Sequence, residues 1–584
     1  MWQVFLVLSV LVITSSFIYI LLIKDKEGKS INIILCAVFV SNTLIFFPMY
    51  YEMFKNDIGF PHLFKTVFVS MHHAIRLFIV DSDFEMVREM VPSSDLYLYY
   101  VYTCYAAILF LISPMMTFGF IFSFFKNISA HRKYIGSFNK DAYIFSKFNE
   151  ESIALATSIK SNFRNSTIVF TSVSDENIKD YNLYEKAKKI DAIMFERDIL
   201  APCFRFHNKK KNIVFFLFDK VEKNNINSAL EIIQKYNKRK NTQLYVFSNE
   251  IEGELFLSNA QTEEIKLRRI SNTRSLIYSI LKNKGKLLFE EAYKDSSSDK
   301  KLISAIVVGV GQYGIEMTKS LAWFCQMEGY RIEIDAFDIN PSTKDYFSSL
   351  CPELMDDRFN NKFDDPGEAQ YRISVHSAVD VDSLKFQEEI KKLSKTTYVF
   401  VALGNDEINI RTSIMVRRLF EQIGIHPRIQ TIVENSEQKN ALTGIKNYSG
   451  QSYDIDCEGS INEIYSYNNI LNSELEQEAL NRHLCWGKED DFWKYEYNYR
   501  SSMASALHKR MKIFCGVPGI EKKPSDRTEQ EKRVLRLLEH RRWNAYMRSE
   551  GYVYSKKRNN LAKTHNCLVT FDLLSQKDKE KDDD

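Results

Sequence analysis

Residues 2–23, WQVFLVLSVLVITSSFIYILLI, carry no charged side chain. Neither do residues 31–50 or 97–125, the last interrupted by Pro114. A hydrocarbon core of about 30 Å takes about 20 apolar residues of helix to cross. Three such runs therefore predict an α-helical transmembrane region over residues 1–130, with spans at about 2–23, 31–50 and 98–124. The first run lacks the basic start, the shorter apolar stretch and the small-residue cleavage site of a signal peptide, so it reads as a retained helix. Lys24, Lys26 and Lys29 follow the first span, and Lys126, Arg132 and Lys133 follow the third. By the positive-inside rule both groups lie in the cytoplasm. The expectation is a multi-pass protein of the cell inner membrane, N-terminus outside and everything after about residue 126 cytoplasmic.

Between the second and third spans, residues 61–84 have helical periodicity. Phe64, Val67, Phe68, Met71, Ile75 and Phe78 repeat every three or four residues, with Lys65, His72 and Arg76 on the other side. Two readings remain open: an interfacial helix on the outer surface, or a re-entrant segment lining a pore between subunits. The pore candidates are Lys65, His72, His73 and Arg76. No selectivity sequence of the TVGYG type occurs in the chain, so an ordinary potassium pore is not expected.

At 584 residues the chain has room for about three to five domains. The net charge of +3 gives no bulk signal for nucleic acid. The nine cysteines are scattered, without CxxC or zinc-ligand spacing, and read as reduced thiols. No metal site is expected.

From about residue 135 apolar strands alternate with helices, the pattern of a parallel α/β sheet. Strands are expected at 141–148, 166–172, 191–197, 212–219 and 242–248, within a first Rossmann-like domain over 135–290. Its first turn, Ser146-Lys147-Phe148-Asn149-Glu150, has no glycines, and Glu150 and Glu151 stand where a helix N-terminus would receive an anion. This copy is expected to bind no dinucleotide. The polar linker 293–301 marks a boundary, and a second Rossmann-like domain is expected over 302–460.

That domain opens with SAIVVGVGQYGIEMTKSLAWF, residues 304–324. Strand 303–308 runs into Gly309-x-Gly311-x-x-Gly314 and a helix, with Gln312 and Tyr313 inside the fingerprint. Gly309 permits the tight turn, Gly311 lets a phosphate approach the backbone, and Gly314 lets the helix pack on the strand. Asp338 ends the next strand, placed to accept ribose hydroxyls. Gly404, Asn405 and Asp406 end a later strand, where open α/β sheets hold ligands. No catalytic constellation is present, so no catalytic residues are assigned.

The tandem arrangement behind a membrane unit resembles the TrkA-N/RCK regulatory domains of potassium channels and transporters, over roughly 135–450. The specific motif is Gly309, Gly311, Gly314 and Asp338. The resemblance implies NAD(H) or another adenine nucleotide as ligand, and a homo-oligomeric ring, dimer or tetramer. Residues 461–584 read as a helical segment followed, at about 530–580, by a stretch that resembles the small, mainly α RyR domain named after ryanodine receptors. Glu539, His540, Trp543, Gly551, Tyr552, Arg558, Asn560, His565, Leu568, Val569, Phe571 and Leu574 carry that resemblance. Asn559-Asn560 and Thr564-His565-Asn566 depart from its usual pattern. It implies a ligand-binding module of prokaryotic nucleotide signalling and defence. Trp543 and Tyr552 could stack on a base, while Arg541, Arg542, Lys556, Lys557 and Arg558 could pair with phosphate. The ligand candidates in this module are Glu539, His540, Arg542, Trp543, Tyr552, Arg558 and His565.

Taken together, the sequence leads to a membrane effector or channel-like protein. A small nucleotide-type ligand would bind in the cytoplasm and gate an oligomeric pore in the bilayer, and the RyR resemblance implies a setting in anti-phage nucleotide signalling. The alternatives are a non-conducting subunit of an ion transporter and a membrane-bound NAD(P)-dependent oxidoreductase.

Overall fold

The structure is a computed structural model. It describes the chain apart from residues 23–28, 57–59, 80, 82–83, 175–179, 250–252, 254–256, 258–262, 295–297, 443, 445 and 583–584, and the side chains of 20–22, 29–32, 118–129, 202 and 582. The expected orienting lysines Lys24, Lys26, Lys29 and Lys126 fall outside the described side chains. Two compact units result, residues 1–133 and 134–584.

In the first unit, three of the described helices are long and apolar enough to cross a membrane: Trp2–Tyr19, Ile33–Met53 and Leu96–Thr117. Several of their polar side chains turn inward and bond a neighbouring helix. Asn42 Nδ2 donates to Ser113 Oγ at 2.8 Å, Ser9 Oγ to the Ser41 carbonyl at 3.2 Å, and Tyr102 Oη to the Ile45 carbonyl at 2.6 Å. Such bonds hold helices together where no hydrophobic effect separates protein from lipid. Outward-facing residues such as Val4, Leu11, Ile18 and Leu111 are more than half exposed, as lipid-facing side chains are.

In the second unit, two parallel sheets form as the strand–helix alternation predicts. The first contains β1 (Ala142–Phe145), β2 (Thr167–Phe170), β3 (Ile193–Met194), β4 (Ile213–Leu217), β5 (Thr242–Phe247) and β6 (Ile265–Ile270), in the order β3-β2-β1-β4-β5-β6. The second contains β7 (Tyr293–Lys294), β8 (Lys301–Val308), β9 (Tyr330–Phe337), β10 (Tyr371–His376), β11 (Tyr398–Val401), β12 (Arg428–Ile432) and β13 (Ile455–Glu458). Its parallel order is β10-β9-β8-β11-β12-β13, and β7 adds an antiparallel pairing to β8. Both orders reverse direction beside the first strand of the sheet, between β1 and β4 and between β8 and β11. This is the doubly wound arrangement, which opens a crevice at the carboxyl ends of those strands. β1, β2 and β4 are buried throughout, because helices cover both faces.

The remainder is mainly helical. Helices Glu474–His483, Glu496–Phe514 and Glu529–Ser549 pack together, and a two-residue parallel pairing joins β14 (Val553–Tyr554) to β15 (Thr564–His565). Helix Glu529–Ser549 lies against helix Gln312–Phe324 of the second sheet domain, with Trp323 and Tyr546 in edge contact at 6.2 Å. The hydrophobic core runs without a break from the first sheet through the second into these helices.

Candidate functional site

The turn after β8 is built around its glycines. Gly309 has φ of +90°, and a Cβ there would strike the Ala402 carbonyl oxygen. A Cβ on Gly314 would strike the Gly309 carbonyl oxygen. Both residues are glycine because the chain's own backbone demands it. Gly311 differs: a Cβ there would meet nothing within 4 Å. It begins helix Gln312–Phe324 with extended backbone, and no side chain caps the helix. The first turn, at the positive end of the helix dipole, thus has no side-chain cap and starts at a residue that has no side chain.

The first sheet domain shows the contrast. Helix Glu150–Asn162 is closed by a capping box: Asn149 Oδ1 accepts from Ser152 N at 2.9 Å, and Ser152 Oγ accepts from Asn149 N at 3.1 Å. Its N-terminus is satisfied by its own residues and carries Glu150 and Glu151 in the first turn. An anion would displace a cap and meet two carboxylates.

Asp338 sits at the end of β9, as expected, but its carboxylate also has structural work. Oδ2 accepts from Val310 N at 2.7 Å, and Oδ1 accepts from Asn340 N at 2.8 Å and from Thr343 Oγ1 at 3.2 Å. It fastens the glycine turn to the turn after β9. Ile339, beside it, is 64% exposed and offers a flat apolar surface that the sequence reading passed over. Gln312 accepts from Thr273 Oγ1 at 3.5 Å and so ties the glycine turn to the helix that follows β6.

On the other side of the turn lies a cleft of about 470 Å³ at the carboxyl ends of β11 and β12. Tyr313, Gly404 and Asn405 line it, so the structure brings these expected residues together. Gly404 takes φ of +80° to make the turn, and Asn405 caps the next helix by accepting from Ile408 N at 3.1 Å. Asn409 holds the two strand ends in place, accepting from Leu403 N at 2.6 Å and donating to the Ile432 carbonyl at 2.9 Å. The cleft is acidic: Asp406, Glu407 and Glu434 line it, with Glu150 contributed by the first sheet domain. Asp406 accepts from the Glu434 and Asn435 N–H groups. Burial raises the Glu434 carboxyl above its ordinary range, and Asp406 adds to the shift. Tyr313 Oη donates to Glu434 at 3.4 Å, and burial next to that carboxyl raises its hydroxyl. Among the described residues lining the cleft there is no Lys, His or Cys. The arrangement suits binding: a phosphate at Gly311, and a neutral or cationic group in the acidic cleft.

The C-terminal candidates are placed differently. Glu539 is buried and accepts from Ser505 Oγ at 3.1 Å, Lys512 Nζ at 3.3 Å and Arg542 Nη2 at 2.8 Å. Burial opposes its charge, but Arg542, Lys512 and Arg482 outweigh it and hold the carboxyl well below the carboxylate range. His540 bonds the Val569 carbonyl at 2.8 Å, and Trp543 stands edge-on to His565 at 4.9 Å. His565 is buried and pushed down to about 4, chiefly by desolvation, so it is neutral at pH 7. Tyr552 is 8% exposed, whereas Arg558 is exposed and bonds Asn560. Arg541 and Arg542 are 4% and 2% exposed. Most of this group therefore builds the module's interior; Arg558, Lys556 and Lys557 lie on its surface.

One cluster had no signal in the sequence. Arg274 bonds Glu316 at 2.8 Å and Glu550 at 3.0 Å; Arg500 lies 3.2 Å and Lys319 3.8 Å from Glu550. These five side chains are 11–16% exposed. They join the helix after β6, the helix of the glycine turn and two C-terminal helices. Apart from Glu316 and Lys319, which share one helix, the members are remote in sequence from one another, so no local pattern reveals the cluster.

Compared with protein-family models and with curated proteins, the chain matches none of them.

Proposed function

We propose that this protein is a ligand-gated membrane effector: a nucleotide-type ligand binds at Gly309–Gly314 and biases an oligomeric assembly of its membrane helices. The observation that carries this reading is Gly311. Its lack of a side chain serves no contact of its own, and it lies at an uncapped helix N-terminus. That position suits the pyrophosphate of an adenine dinucleotide, with Asp338 and Ile339 on the adenosine side and the acidic cleft on the other. The same helix carries Glu316 and Lys319, which belong to the ion-pair cluster. A shift of this helix on binding would disturb contacts in the first sheet domain and the C-terminal module together. Three spans per chain are too few to enclose a pore, so the proposal requires a homo-oligomer in the inner membrane, with residues 134–584 in the cytoplasm. The RyR-like stretch gives the proposed effector a setting in nucleotide-based defence.

Thermal unfolding of the detergent-purified protein tests the proposal against NAD, NADH, ADP-ribose, ATP and cyclic oligonucleotides. A ligand at 100 times its dissociation constant should add about 2.7 kcal/mol. Gly311→Asp should abolish that gain by placing a carboxylate where the phosphate would lie. Trp543→Ala should leave it intact. A gain that survives Gly311→Asp but not Trp543→Ala would move the site to the C-terminal module, and no gain with any nucleotide would sink the proposal.

A further inference from the structure

Helix Phe60–Phe78 is amphipathic, but the face it packs against its neighbours is not its apolar one. Its buried residues are Thr66, Ser70, His73, Ala74 and Leu77. The packed face is thus largely small or polar, and His73 bonds Tyr50 Oη at 2.7 Å. The large apolar side chains point away: Phe60, Phe64 and Phe68 are at least 60% exposed and stack at 6.2 Å intervals, with Met71 and Ile75 continuing the stripe at 40% and 52%.

Its contacts fix how deep it reaches. His62 lies against Tyr51 at 4.5 Å and Lys65 over the Phe54 ring at 5.9 Å, both at the end of the second span. His73 meets Phe46 at 4.2 Å, and Phe78 meets Phe39 at 6.5 Å. The helix therefore descends antiparallel along Ile33–Met53. From Met53 to Phe39 is about 21 Å at 1.5 Å per residue, well past the middle of a core about 30 Å thick. The chain then climbs back: Phe84 packs on Phe110 at 5.2 Å, Phe110 on Phe46 at 6.1 Å, and Tyr50 Oη lies 3.8 Å from Met86 Sδ. The third span starts again at the end where the second finished, with Tyr102 bonding Ile45.

We infer that the segment between the second and third spans is a re-entrant hairpin, entering and leaving the bilayer on one side, with the Phe60–Ile75 stripe against lipid acyl chains. This rests on the reading of Ile33–Met53 as a span. Arg76 and Asp81, bonded twice at 3.1 Å, fall at the deep end and neutralise each other there. Lys65, His72 and Arg76 form a flank between the lipid stripe and the packed face.

Native protein in liposomes tests this with two photoreactive lipids, one carrying the probe in the headgroup and one midway down the acyl chain. Labelled residues are mapped by mass spectrometry. The hairpin requires acyl-chain labelling at Phe68, Met71 and Ile75, and headgroup labelling confined to the Phe60 end. Headgroup labelling along the whole stripe would overturn it in favour of a surface helix. A full crossing is excluded by a second measurement: Lys55→Cys and Asp95→Cys should both react with an impermeant maleimide from the same side, and reaction from opposite sides would overturn the hairpin. Neither result depends on nucleotide binding or conduction, so the hairpin and the gating proposal fail separately.

Discussion

Replacing Glu550 by alanine should destabilise the 134–584 unit by about 3–5 kcal/mol, the usual effect of removing one partner from a buried charge cluster. The magnitude follows from what remains. Arg274 keeps Glu316 and Arg500 keeps Glu496 at 3.8 Å, but these two and Lys319 all lose the Glu550 carboxylate, and the three cations stay at 14–16% exposure. Urea unfolding should report a lower midpoint with an unchanged slope. The effect has a defined pH dependence. Burial acts to raise the Glu550 carboxyl, but Arg274, Arg500 and Lys319 outweigh it and hold it well below the ordinary glutamate range. A carboxyl depressed in the folded state contributes stability above its unfolded pKa of about 4.3 and loses it as pH falls toward the folded value. The gap between wild type and Glu550→Ala should therefore be constant from pH 7 to about 5 and narrow below about 4. A gap independent of pH would mean that the side chain acts through packing and not through charge.

This cluster also marks where sequence reading stops. β1, β2, β4, β5, β8, β9 and β11 were legible because each lies inside a sheet or carries a long apolar run. Among the longer strands, β6, β10 and β13 gave no clear signal, and all three are at sheet edges; the edge strand β3 was foreseen, and the two-residue β7 falls in the stretch read as a linker. Their sequences, IKLRRI, YRISVH and IDCE, mix charge with apolar residues because fewer neighbours cover them. The glycine turn was legible for a related reason: Gly309 and Gly314 answer to backbone atoms a few residues or one strand away. The acidic cleft was only half legible. Gly404 and Asn405 mark its floor, but Glu150 reaches it from more than 250 residues earlier in the chain, and only the folded chain brings the two together. In the C-terminal module, Arg541 and Arg542 read as a charged surface run. Their acceptors, the Pro366 carbonyl and Glu539, include one far off in the chain, so the sequence could not reveal that they are buried.

The three glycines of the turn should respond to alanine in opposite ways. Gly314→Ala should destabilise the protein by about 3 kcal/mol, the upper range for forcing extra atoms into a packed site, because the atom it strikes is the Gly309 carbonyl oxygen and not a mobile side chain. The helix can relieve that clash only by lifting off β8, and Trp323 and Phe324 at its other end are buried in the continuous core. Gly309→Ala should behave similarly, since its φ of +90° is strained for any L side chain. Gly311→Ala should change stability by less than about 0.5 kcal/mol, because its new methyl group meets nothing and its backbone is extended. The same substitution should weaken nucleotide binding, since the methyl group then occupies the approach to the first-turn N–H groups. Melting temperatures of the three variants, with and without the stabilising nucleotide, read both effects at once. If Gly311→Ala proved as destabilising as Gly314→Ala, the small residue would answer to the fold itself, and the strongest reason for placing a phosphate at this turn would be lost.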